Sequence, residues 1–202
     1  MSRLRIFLLS PAHCGGKRAE ILLNERATFP LAQRLRSPSG VTLGEAFSFL
    51  SGLYFRGKLV YADRFARPPD GSGGVRVITT DRGLLPAHTR IGPRELREFG
   101  TVDIRADLPA YREPLTRDVA GLSQVSDADV VLLGSVATGK YVDVLLEHLG
   151  DRLLFPPEFV GRGDMSRGAL LLRAARTGQE LGYEPLSGAI RRGPRAARVG
   201  KT

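Results

Sequence analysis

The sequence predicts an α/β domain of three layers with a mainly parallel central sheet, followed by a flexible basic C-terminal tail. Three observations lead there. Short apolar runs such as Arg5–Ser10 and Asp129–Leu133 lack polar alternation, the mark of strands buried on both faces. Stretches with helical spacing separate them, as in parallel strands joined by crossover helices. Polar loops, three of the four rich in Gly, follow the runs, and such sheets bind ligands beyond the carboxyl ends of their strands.

Taken in order, Arg5–Ser10 reads as the first strand, ended by Pro11. Residues 17–36 are helical in part and interrupted at Pro30. Thr42-Leu-Gly-Glu45 fits a capping box, so a helix starts there, and Leu43, Phe47, Leu50, Leu53 and Tyr54 recur at helical spacing as core residues. Residues 66–74, Ala-Arg-Pro-Pro-Asp-Gly-Ser-Gly-Gly, form a loop by composition. Val75–Thr79, Asp129–Leu133 and Leu153–Phe155 supply further strands, the last stopped by Pro156 and Pro157. Tyr141–His148 reads as a helix, as does the stretch through Leu170–Leu172 that ends near Gly178, with Asp164 or Ser166 as its N-cap.

Length and composition suit one soluble domain: 202 residues, 42% hydrophobic and 25% charged. No run is long enough to cross a bilayer. The apolar part of the first residues spans about four positions, below the roughly 7 to 15 of a secretion signal, so the expected location is cytoplasmic. A lone cysteine, Cys14, excludes an internal disulfide framework, and with three histidines no zinc site is expected, nor any cofactor. The oligomeric state leaves no trace in the sequence. The net charge is +9, and residues 189–202 hold five Lys and Arg with no acid, leaving +4 on the rest. A domain over 1–187 and a basic tail over 188–202 follow, the tail being either a sequence-blind phosphate binder or a solubilising end.

Four loops carry the chemistry: residues 10–17, 79–83, 134–140 and 160–168. Gly134-Ser-Val-Ala-Thr-Gly-Lys140 matches the letters of a P-loop, whose glycines let backbone N–H groups wrap phosphates. Its final Ser or Thr, needed for magnesium, is replaced by Tyr141, and no acidic strand end follows to hold metal. Gly134, Ser135, Thr138 and Lys140 are therefore expected to receive an anion or a sugar hydroxyl rather than to hydrolyse a triphosphate. In the first loop Ser10, His13 and Lys17 are candidate ligand contacts. Cys14, beside basic residues and a helix start, is a candidate nucleophile. Asp81 is placed to orient water or stabilise a cationic transition state, with Arg82 beside it. Arg162, Asp164 and Arg167 flank a helix start where phosphate or carboxylate fits.

Val77–Ile91 (Val-Ile-Thr-Thr-Asp-Arg-Gly-Leu-Leu-Pro-Ala-His-Thr-Arg-Ile) and Pro109–Thr116 resemble an uncharacterised family of small phage and bacterial proteins, in which a strand runs into Ser-Ala-Lys-x-Gly-Leu-Leu and then a Pro-Tyr segment. Here Thr80-Asp81-Arg82 stands where that family has Ala-Lys-x, and Ser10–Cys14 where it has a Cys-Ser-x-x-Lys start. Ile91–Ile104 is similar to the Pro-Arg-Glu-Leu-Glu stretch of the core domain of archaeosine synthase, whose fold is that of uracil-DNA glycosylases. The resemblance implies that fold and a nucleobase or nucleic-acid ligand. Together these readings lead to an enzyme directed at a nucleobase, nucleotide or nucleic acid, with the N-glycosidic bond one candidate point of attack. The alternatives are a non-catalytic nucleic-acid-binding module and a P-loop-like nucleotide hydrolase.

Overall fold

Residues 4–9 form strand β1 (Leu4–Leu9), whose last four side chains are all buried. Their alternation sends Phe7 and Leu9 to one face and Ile6 and Leu8 to the other. The computed structural model describes residues 3–71, 73–125, 128–137 and 139–193. After β1 come α1 (Lys17–Leu23), α2 (Pro30–Arg36), β2 (Val41–Thr42), α3 (Leu43–Ser51), α4 (Leu53–Phe65) and β3 (Val75–Ile78). Next are β4 (Leu84–Pro86), β5 (Arg90–Ile91), α5 (Pro93–Phe99), α6 (Pro109–Ser123) and β6 (Ala128–Leu133). The chain continues through α7 (Gly139–Leu149), β7 (Leu153–Phe155), α8 (Asp164–Thr177) and β8 (Glu184–Pro185).

The main sheet has the order β4-β3-β1-β6-β7-β8. Its four central strands are parallel, and β4 and β8 add antiparallel edges. Helices α1 to α5 and α8 cover one face and α6 with α7 the other, giving three layers. Strands β2 and β5 pair apart from this sheet. The chain leaves β1 towards β3 on one side and later returns to β6 on the other, so the strand order reverses at β1. Leu9 is level with Leu133, so Ser10 and Gly134 leave the sheet side by side at that point.

Local signals explain most of the helices. The capping box is complete: the Glu45 N–H donates to Thr42 Oγ1, and the Thr42 N–H donates to the Glu45 carboxylate. Leu43, Phe47, Leu50 and Tyr54 are buried, and Leu53 is half-buried at the break between α3 and α4. Pro30 opens α2 at its first turn, where a missing N–H costs nothing. The N-cap of helix α8 is Gly163, one residue before Asp164 and three before Ser166, the two expected caps; it makes no side-chain hydrogen bond, and Asp164 lies in the first turn. Gly178, left-handed, ends it. Helices α4 and α8 touch through glycines, since a Cβ on Gly168 would sit 2.8 Å from Leu53 O and one on Gly57 would sit 2.7 Å from Gly168 O. That contact draws the first turn of α8 over the carboxyl end of the sheet.

Of the expected tail, residues 188–193 are described: Arg191 pairs with Asp143 of α7 at 3.6 Å, and Arg192 donates to Ala137 O at 3.4 Å. Residues 194–202 lie outside the described residues. Among the described residues no helix is long and apolar enough to cross a membrane.

Candidate functional site

All four loops follow strands of the parallel set, β1, β3, β6 and β7, and so gather at one end of the sheet. Where the order reverses, Gly134 presses against Ser10. A Cβ there would lie 2.8 Å from Ser10 Cβ and 2.8 Å from the Tyr141 hydroxyl, so the glycine is needed for this approach. Tyr141 is buried, and its hydroxyl donates to Ser135 O at 2.8 Å. The residue that replaces the magnesium-binding hydroxyl of a P-loop thus ties its own loop shut. Among the described residues no group of acids, histidines or cysteine is arranged to hold a metal ion.

Under this junction lies a lysine that the reading of the sequence passed over. Lys58 of α4 is 1% exposed and donates from Nζ to Ser10 O at 2.6 Å and to Ser10 Oγ at 2.9 Å. The rings of Tyr54 and Phe55 flank its nitrogen at 4.6 and 4.7 Å. Burial pulls its pKa down to about 7; Asp164 opposes that shift and Arg167 adds to it. A signal for Lys58 was present: Tyr54, Lys58, Tyr61 and Phe65 repeat at spacings of four, three and four, which puts the lysine on the buried stripe of its helix.

Arg167, expected beside a helix start as a contact for phosphate or carboxylate, is 7% exposed. Its Nε and Nη2 donate to Phe159 O at 3.1 and 2.9 Å, and its Nη1 stands 3.5 Å from the Asp164 carboxylate. Its guanidinium lies over the rings of Tyr54 and Phe159. Among the described residues the Tyr54 hydroxyl, buried beside Arg167, makes no hydrogen bond of normal geometry, and burial raises its pKa. Arg162 is half-buried and donates to Ser166 Oγ at 3.1 Å.

Asp81, Arg82 and Cys14 form a second group on the other flank of the β1 loop. Among the described residues the Asp81 Oδ1 is buried without a partner, its Oδ2 lies 3.7 Å from Arg82 Nε, and burial raises its pKa against the pull of Arg82. Arg82 also pairs with Glu98 of α5. Cys14 is not the activated thiol expected: burial, reinforced by Asp81, pushes it up to about 12, and its Sγ donates to Ala12 O. Helix α1 starts only at Lys17, and the thiol packs into the core instead of facing that positive end. His13 is exposed and folds over Gly15 and Gly16, and Lys17 and Lys140 are exposed at the rim. Thr138 lies outside the described residues.

Two hollows lie away from this chemistry. One of about 360 Å³ sits near the amino end of β3 against His88, and a groove of about 780 Å³ runs between α4 and α8 past Val60 and Arg173. Neither contains a convergent set of buried polar groups, so the reversal point is the better candidate site. The chain matches no protein-family model, no curated protein and no solved structure.

Proposed function

We propose that the protein is an enzyme directed at a nucleobase, nucleotide or nucleic acid, working in the crevice where the strand order reverses. One observation carries this reading: the loops after β1 and β6 meet at Ser10 and Gly134, beside the first turn of α8, over a buried lysine and arginine. A crevice at a reversal point, lined by Gly-rich backbone and cations, suits a ligand that carries both a planar ring and anionic oxygens. Lys140 and Arg162 at the rim and Ser135 at the wall are the contacts for sugar and phosphate. Asp81 is the carboxylate for chemistry at an N-glycosidic bond. Its unpartnered Oδ1 can accept a proton from water or stabilise developing positive charge on a sugar ring. Cys14, held protonated, has no nucleophilic part in this scheme.

The test is turnover on nucleosides, nucleotides and base-modified DNA or RNA, compared between wild type and Asp81→Asn. The expected result is base release by wild type and a loss of at least about a hundredfold in kcat in the variant, with binding retained. Binding without turnover by the wild type assigns the protein to the non-catalytic class. The absence of both binding and turnover overturns the reading.

A further inference from the structure

Buried lysines are normally paired with a carboxylate, yet among the described residues Lys58 forms no ion pair. Asp164 is 69% exposed and turned to Arg167. Near Lys58 stands the Tyr54 hydroxyl, 95% buried and, among the described residues, without a hydrogen-bond partner of normal geometry, set among Arg167, Asp164 and Tyr141. Above them helix α8 opens on a glycine cap that gives no side-chain hydrogen bond. The first intrahelical bond is that of the Arg167 N–H to Gly163 O, so the N–H groups of Asp164, Met165 and Ser166 precede the ladder. The floor therefore combines two cations, an idle hydroxyl and a helix start against one mostly solvated carboxylate.

We propose that this floor seats a tetrahedral oxyanion, a phosphate or phosphomonoester carried by the ligand, at the first turn of α8 between the Tyr54 hydroxyl, Arg167 and Lys58. The proposal deepens the reading of the crevice as a nucleotide site by naming the group that is bound deepest. An anion there favours the charged form of Lys58, which burial and Arg167 disfavour. The other groups facing Lys58 are Asp164 and Tyr54, with Tyr141 across the crevice. Neither tyrosine titrates in place of Lys58 near pH 8, since burial raises the pKa of both. Binding is thus coupled to proton uptake.

Isothermal titration calorimetry at pH 8, in two buffers of different ionisation enthalpy, tests this with sodium sulfate, inorganic phosphate, a nucleoside 5′-monophosphate and its parent nucleoside. The expected result is uptake of roughly half to one proton with each oxyanion, sulfate included although it cannot titrate at this pH, and none with the nucleoside. Lys58→Met should abolish the uptake. Tyr54→Phe removes only an idle hydroxyl, so it should leave Tm unchanged or raised while weakening oxyanion binding about tenfold. It keeps the test open if the lysine variant does not fold. Tighter binding of the monophosphate than of phosphate makes the nucleotide the source, whereas equal affinity makes it the free ion, and both support the seat. Sulfate bound with uptake, but no nucleotide bound, upholds the seat and removes the nucleotide reading. A nucleotide bound without uptake and insensitive to both substitutions overturns the seat alone. No oxyanion binding at all overturns it as well.

Discussion

The two flanks of the β1 loop use charge in opposite ways. On the β3 side Asp81, Arg82 and Glu98 lie within ion-pair reach, so cation and acid answer each other inside the protein. On the β6 side Lys58 answers, among the described residues, only a strand-end carbonyl and a hydroxyl, and Arg167 spends two donors on one carbonyl and meets only the exposed Asp164. The difference teaches where an external partner is wanted. A cation paired with acids needs no counter-ion from outside, and here it leaves Asp81 Oδ1 open to a ligand, whereas a buried cation without a carboxylate is stable only if it sheds its proton or gains an anion.

The comparison breaks most readily at the helix contact that builds the cationic flank. Gly168→Val drives a side chain into the Leu53 carbonyl and the Tyr54 backbone, and should cost about 3 kcal/mol in denaturant unfolding. It should also dislodge Tyr54 and Arg167, whereas an equal volume added at exposed Ala169 should cost little.

A smaller effect separates the flanks by pH. The folded pKa of Lys58, about 7, lies below its unfolded value, so between the two the unfolded chain holds the extra proton and stability rises with pH. Relative to Lys58→Met, wild-type stability should gain about 2 kcal/mol from pH 7 to 9. Parallel curves for the two proteins would place the lysine in solvent or in an ion pair. Smallest is the change on the balanced flank: Cys14→Ala should cost about 1 kcal/mol and leave ligand binding untouched. Alkylation of Cys14 in the folded protein at pH 8 should run about a thousandfold slower than for a free thiol.

The carboxyl-end loops were legible because β1, β3 and β6 end in apolar residues followed at once by polar ones, and position alone then gathers the loops. The capping box at Thr42 was legible because both of its partners are local. Strands β4, β5 and β8, of two or three residues, follow from pairing across the fold and carry no period of their own. The cap of α8 was misplaced by one residue because Asp164 is a good cap former, yet the chain at Gly163 is already extended. Cys14 was misread since adjacency to Lys17 in sequence does not set which way a side chain packs. Lys58 was passed over because a lysine in a helix is usually solvated. Its burial depends on Gly57 and Gly168, more than a hundred residues apart, closing the two helices over it.

The measurement nearest to the central claim is the titration of Lys58 itself, followed by NMR at its side-chain carbon and nitrogen in the wild-type protein without ligand. A midpoint near 7, well below the ordinary 10.5, is the result predicted for a buried cation awaiting an anion. A midpoint at 10 or above would show that the lysine is already solvated or paired, and the cationic floor would not exist.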